Sequence, residues 1–156
     1  TPGAKSTAGN DGLVLIEGVP LGSILSTGGS AETSVTDTPQ KIVNGWTTDG
    51  ADAIGVTPDE TTGDITIDTA GIYMVTLQLS FSGGNGNEIT CAIHKNGTTT
   101  DHQFVRKLAN GDVGSASCSG IVSCAATDTI SAYQNIDTGT GSMTVQAGQL
   151  IVYKIG

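Results

Sequence analysis

Residues 65–81 read ITIDTAGIYMVTLQLSF, and residues 146–155 read QAGQLIVYKI. In the first stretch Ile65, Ile67, Ile72, Met74, Val75, Leu77, Leu79 and Phe81 are apolar, with Thr, Asp, Gln and Ser between them. A two-residue period places one set of side chains on a buried sheet face and the other in water. Ala70-Gly71 breaks the period, as a turn or bulge does. The chain is therefore expected to be all-β. These segments hold no catalytic equipment, which favours a binding or structural module over an enzyme.

Composition agrees with this reading. The chain has 156 residues, enough to bury a core in one domain. Glycine, at 23 residues, is about twice its usual share, while charged residues are 13% and aromatics 4%. That suits many short strands joined by tight turns, and the even spread of β-branched residues excludes disorder. The one passable helical stretch, Gln103 to Leu108, is short. Turn signals divide the rest into eight to ten short strands at the spacing of a sandwich, with Asn96-Gly97 a type I′ hairpin signal.

The formal net charge is −9, and among the six basic residues only Arg106 and Lys107 are adjacent. No basic track exists to neutralise phosphates, so nucleic acid is not an expected partner. The longest early apolar run, Leu13-Val14-Leu15-Ile16, falls far short of the roughly 18 residues that span a bilayer. Neither a membrane nor a signal peptide is expected. Cys91, Cys118 and Cys124 are odd in number and lack zinc spacing, so they read as free, inward-facing thiols.

Residues 1–35 differ from the remainder. They are rich in Gly, Ala, Ser and Thr, with apolar islands at Leu13, Val14, Leu15 and Ile16 and at Val19, Leu21, Ile24 and Leu25. Two readings stand. One is an extended arm, 1–35, that docks on a neighbour through those eight residues, ahead of a β domain at 36–156. The other is a partly ordered tail followed by an edge strand.

The order of pieces from about Gln40 to Ile155 resembles the tumour-necrosis-factor-like jelly roll, above all its complement-type globular head branch. The resemblance is carried by Trp46, GDITIDTAGIYMVTLQLSF (63–81), IHKNG (93–97), the 126–131 element ATDTIS, and LIVYKI (150–155). Thr127 stands where that family usually has Gly before the Asp, and Cys124 where Leu is common. The resemblance implies two packed antiparallel five-stranded sheets, a homotrimer around a threefold axis, and binding in place of catalysis. It makes Tyr73, Ile151 and Tyr153 the expected trimer contacts.

Candidate chemistry is sparse. His94, with parity opposite to Ile93, is expected at the surface, and neither it nor His102 has metal-ligand partners at suitable spacing. Asp49, Asp52, Asp59, Glu60 and Asp64 read as a solvated turn more than a calcium site. No metal and no cofactor is expected. Loops 83–87, 98–102 and 137–141 are the candidate ligand loops, with His102, Phe104 and Arg106 as possible contacts. Together these readings predict a non-enzymatic homotrimeric virion protein. As a capsid decoration protein it would bind the major capsid protein at threefold-like positions. The alternative is the receptor-binding head of a fibre or surface filament.

Overall fold

A computed structural model describes residues 18–48, 53–109 and 111–156. Its strands in chain order are β1 (Leu21–Ser26), β2 (Ser30–Val35), β3 (Gln40–Lys41), β4 (Trp46–Thr48), β5 (Val56–Asp59), β6 (Asp64–Ile67), β7 (Gly71–Gly83), β8 (Glu88–Lys95), β9 (Thr98–Lys107), β10 (Val113–Cys124), β11 (Thr129–Ile136) and β12 (Gly141–Lys154). They form two antiparallel sheets packed face to face. The first runs β10-β7-β12-β1-β4, with β2 also on β12. The second runs β5-β6-β11-β8-β9, with β3 also on β11.

The stretch 65–81 crosses between the sheets. Ile65 and Ile67 belong to β6 in the second sheet, and β7 lies in the first. The corner between them is Asp68–Ala70, which leads into the Ala70-Gly71 break in the period. Tyr73 is fully buried beside it, and its hydroxyl donates to the Thr69 carbonyl at 2.6 Å, so a large aromatic fills the core without an orphaned oxygen. Val75, Leu77, Leu79 and Phe81 continue inward and meet Ile89, Cys91 and Ile93 of β8, Ile130 and Ile136 of β11, and Leu150 and Val152 of β12 in one apolar cluster. Burying each large side chain contributes about 1.5–3 kcal/mol.

Several expectations are corrected. Leu21, Ile24 and Leu25 are not part of an arm. β1 lies inside the first sheet, with β12 on one side and β4 on the other, and Ile24 is fully buried. Its alternation of half-buried and buried residues is that of a sheet strand, too regular for a segment that waits for a partner. β2 also pairs with β12, so the sandwich begins well before residue 36. Leu13, Val14, Leu15 and Ile16 lie outside the described residues. Gln103 to Lys107 are strand, with β9 paired to β8 in place of the passable helix. The C-terminal strand β12 runs for 14 residues across a bulge between Val145 and Ala147.

Polar groups pin the connections. Glu32 of β2 is buried, and its carboxylate accepts from Val43 N at 2.9 Å, Asn44 N at 2.7 Å and Asn44 Nδ2 at 2.9 Å. Trp46 Nε1 donates to the Ile42 carbonyl at 2.8 Å. The turn before β11 is held by Thr127 N on the Ile67 carbonyl at 2.7 Å and Ala125 N on Asp128 Oδ2 at 2.8 Å.

Thr127 sits at φ 75°, in the left-handed region where a β-branched side chain is strained. The turn demands that conformation, which accounts for the glycine preferred there in the family this chain resembles. Thr127→Gly should relieve the strain by about 1 kcal/mol net of the added unfolded-state entropy, raising Tm by about 2–4 °C. Thermal unfolding followed by circular dichroism checks this, and a lowered Tm would contradict it.

Candidate functional site

The outer face of the first sheet carries the feature that stands out. Cross-strand register aligns Leu21 of β1 with Tyr153 of β12, Tyr153 with Met74 of β7, and Met74 with Ile121 of β10. These side chains point away from the core, because the residues before and after Met74, Tyr73 and Val75, point into it. Tyr153 is 45% exposed, Met74 37% and Ile121 59%. Ile72 and Ile155 extend the band, joined by the Ile155 N to Ile72 carbonyl hydrogen bond at 2.7 Å.

The next rows are Ser23–Ile151–Thr76–Ser119 and Leu25–Gln149–Gln78–Ser117. The face thus grades from an apolar band to a neutral polar field. At that end, beside the β12 bulge, lies a groove of about 520 Å³ lined by Gln78, Leu79, Ser80, Ser115, Ala116, Ser117, Ala147, Gly148 and Gln149. Every side chain in these rows is uncharged, in a chain of net charge −9. A continuous apolar patch free of like charge is the usual mark of a protein contact surface.

Of the expected contacts, Tyr153 and Ile151 lie on this face. Tyr73 does not. It is sealed in the core, where no second copy can touch its ring, and its neighbour Met74 holds the surface position. Sequence reasoning passed over Met74, Ile72 and Ile121. The off-parity apolar pair Ile72 and Met74 was the visible signal, since a strand with one wet face has no need of it. Leu21, expected to dock an arm, shares this face.

His102, Phe104 and Arg106 are not loop contacts. They lie on β9, the edge of the second sheet, and close the sandwich against β10, the edge of the first. Phe104 is half-buried, and its ring stacks on Phe81 with centroids 6.1 Å apart. Arg106 donates to the Ser115 carbonyl at 3.1 Å, capping an edge-strand acceptor. The His102 ring lies over Gly120 and the Arg106 guanidinium over Gly114, where a Cβ would collide with them. The ligand loops are likewise divided. Loops 83–87 and 137–141 are tied at one end by Asn87 Nδ2 on the Thr138 carbonyl at 3.1 Å and Glu88 N on Asp137 Oδ1 at 3.1 Å. Residues 98–102 belong to the β8–β9 hairpin, joined to them by neither bond.

His94 is buried, with 4% exposed, against expectation. Its ring stacks flat on Tyr133, centroids 3.9 Å apart, and Nδ1 lies 2.9 Å from the Gly97 carbonyl. Parity placed it on the outer face correctly, but Tyr133 of the neighbouring strand covers it. Asp64, Ser131 and His94 stand in one row across β6, β11 and β8. They are no triad. Ser131 Oγ makes no hydrogen bond, Asp64 is held by Lys41 Nζ at 2.7 Å, and the serine is buried from any substrate. The cysteines are free. Burial pushes the Cys118 thiol up to about 11 and raises those of Cys91 and Cys124, so none supplies a thiolate at neutral pH. Among the described residues no three His, Cys, Asp or Glu converge on a metal-sized space, and no helix is long and apolar enough to cross a membrane. Asp59 accepts from Thr61 N and Thr62 N of its own turn, while Glu60 accepts from Thr48 N. Asp49 and Asp52 lie outside the described residues.

Desolvation holds the His94 imidazole below its ordinary pKa, opposed in part by the Gly97 carbonyl. A depressed histidine stabilises the fold above the unfolded pKa of about 6.5 and withdraws that stability as pH falls below it. Unfolding midpoints in urea should therefore decline between about pH 6.5 and pH 5, above the carboxylate range. His94→Gln should flatten that slope, and an unchanged slope would reject the assignment.

No protein-family model matches the chain, and no curated protein matches its sequence. Solved structures do share its fold. An Eiger TNF from S. frugiperda is 14% identical with a TM-score of 0.59, over 88% of this chain and 94% of that one. The globular domain of zebrafish complement 1qA protein is 16% identical with a TM-score of 0.59, over 88% and 98%. Murine APRIL at pH 5.0 is 12% identical with a TM-score of 0.55, over 82% and 98%. Likeness at these identities shows the fold alone, and the chain is a TNF-like jelly roll of two antiparallel sheets.

Proposed function

We propose that this chain is a non-enzymatic structural protein that works as a homotrimer, with the outer face of the first sheet turned toward its own copies. The observation that carries the reading is the uncharged face itself. Three copies of a −9 chain repel one another, and the repulsion is least where the surfaces that meet carry no charge. The Leu21–Tyr153–Met74–Ile121 row supplies both the apolar area and that neutrality. Trimers are common among proteins of this fold, which supports the stoichiometry.

The finer proposal places the trimer on a virion surface as a capsid decoration protein bound to the major capsid protein. A threefold particle matches local threefold points of a shell, and many modest contacts then resist capsomer separation through avidity. The apolar side chains Leu13, Val14, Leu15 and Ile16 are candidate shell contacts. The second reading, a receptor-binding head, is favoured by one observation: loops 83–87 and 137–141 are braced together at one end of the sandwich.

Native mass spectrometry should give about three times the 15.6 kDa chain mass. The double variant Met74→Asp, Ile121→Asp keeps the core intact and should raise the trimer dissociation constant by at least about a hundredfold. A folded monomer at every concentration of the native chain would overturn the reading. Co-sedimentation with shells, lost on replacing residues 13–16 with serine, tests the capsid role. Adsorption to host cells without shell binding would favour the receptor head.

A further inference from the structure

The chain holds Asn-Gly steps at 44, 85, 96 and 110. In this dipeptide the next backbone nitrogen is unhindered by a Cβ and can attack the asparagine side chain when the two are brought together. At Asn96 the fold engages both ends of the amide elsewhere. Nδ2 donates to Asp128 Oδ1 at 2.7 Å, while Oδ1 accepts from Thr129 N at 2.8 Å and Thr129 Oγ1 at 3.4 Å. These partners are 32 and 33 residues away, on the turn that enters β11. A side chain stretched across to that turn cannot fold back over Gly97 N. Asp128 is itself fixed by Ala125 N at 2.8 Å and flanked by Lys95 Nζ at 3.7 Å.

We propose that Asn96-Gly97 is a latent self-modification site that the Asp128–Thr129 clamp holds unreacted, and that it converts to aspartate or isoaspartate when the clamp opens. Gly97 N attacks Asn96 Cγ and forms a C–N bond. The Cγ–Nδ2 bond breaks, and Nδ2 leaves as ammonia with the proton from Gly97 N. Water then opens the five-membered imide at either carbonyl, leaving a carboxylate at residue 96. That carboxylate cannot donate to Asp128 and repels it, so the reaction loosens the hairpin from the β11 turn and does not readily reverse. Asn44 is a control within the same chain, because its Nδ2 is clamped separately by Glu32 Oε2 at 2.9 Å. This inference is independent of the trimer.

The test is peptide mapping by mass spectrometry after incubation at mildly alkaline pH. Conversion at Asn96 in the folded native chain should be at least about tenfold slower than in the chain unfolded by urea. Asp128→Ala should raise it about tenfold, the loss of one hydrogen bond to a charged group, with Asn44 unchanged. Conversion at both sites would report global unfolding of that variant. Asp128→Asn, which keeps an acceptor oxygen, then decides, with faster conversion than native at Asn96 alone expected. Equal rates in folded and unfolded native chain would overturn the proposal. So would a folded Asp128 variant that converts no faster than native.

Discussion

The antiparallel ladder between β7 and β12 sets the rest of this molecule. It runs from Met143 opposite Gly83 to Lys154 opposite Tyr73, with β10 and β1 added on either side. Because side chains alternate, this one register decides two surfaces at once. Tyr73, Val75, Leu77, Leu150 and Val152 turn into the sandwich, and Met74, Tyr153 and Ile121 turn out into a single row. A slip of one residue would exchange the two sets, exposing the core and burying serine and glutamine. Register here is specified by the large imbalance in apolar area between the faces.

The β12 bulge lets one strand serve several partners. Beyond it β12 pairs with β1, and before it with β2, while β7 follows along its other side. The same irregularity borders the groove at the far end of the outer face from the apolar row. At the opposite flank, two edge strands meet without a shared ladder. There Arg106 caps a β10 carbonyl, and Phe104 lies against Phe81 to fill the gap. Edges that are covered in this way offer no template for a foreign strand.

The legible part of the structure was the part governed by local rules. Alternation in residues 65–81 and 150–155, the Asn96-Gly97 turn and the odd cysteine count gave the β class, the hairpin and the free thiols. Of the three residues expected at a subunit contact, Ile151 and Tyr153 lie on the outer face of the first sheet, and the one buried in the core is Tyr73. Its oxygen finds the Thr69 carbonyl four residues back, at a corner that parity alone does not describe. His94 failed for the complementary reason: an outward residue can still be buried when Tyr133 of another strand lies on it.

The sequence by itself determined which faces each strand has and where the chain turns, because both follow from side-chain alternation and from backbone conformations available to a few residue types. It did not determine that Leu21–Ser26 enters the middle of a sheet, or that His102, Phe104 and Arg106 seal a seam. Nor did it show that Leu21, Tyr153, Met74 and Ile121 stand in line. Those facts depend on pairing between segments as many as 132 residues apart, Leu21 with Tyr153. Long-range register is settled by the total area the closed sandwich buries, which no single segment carries.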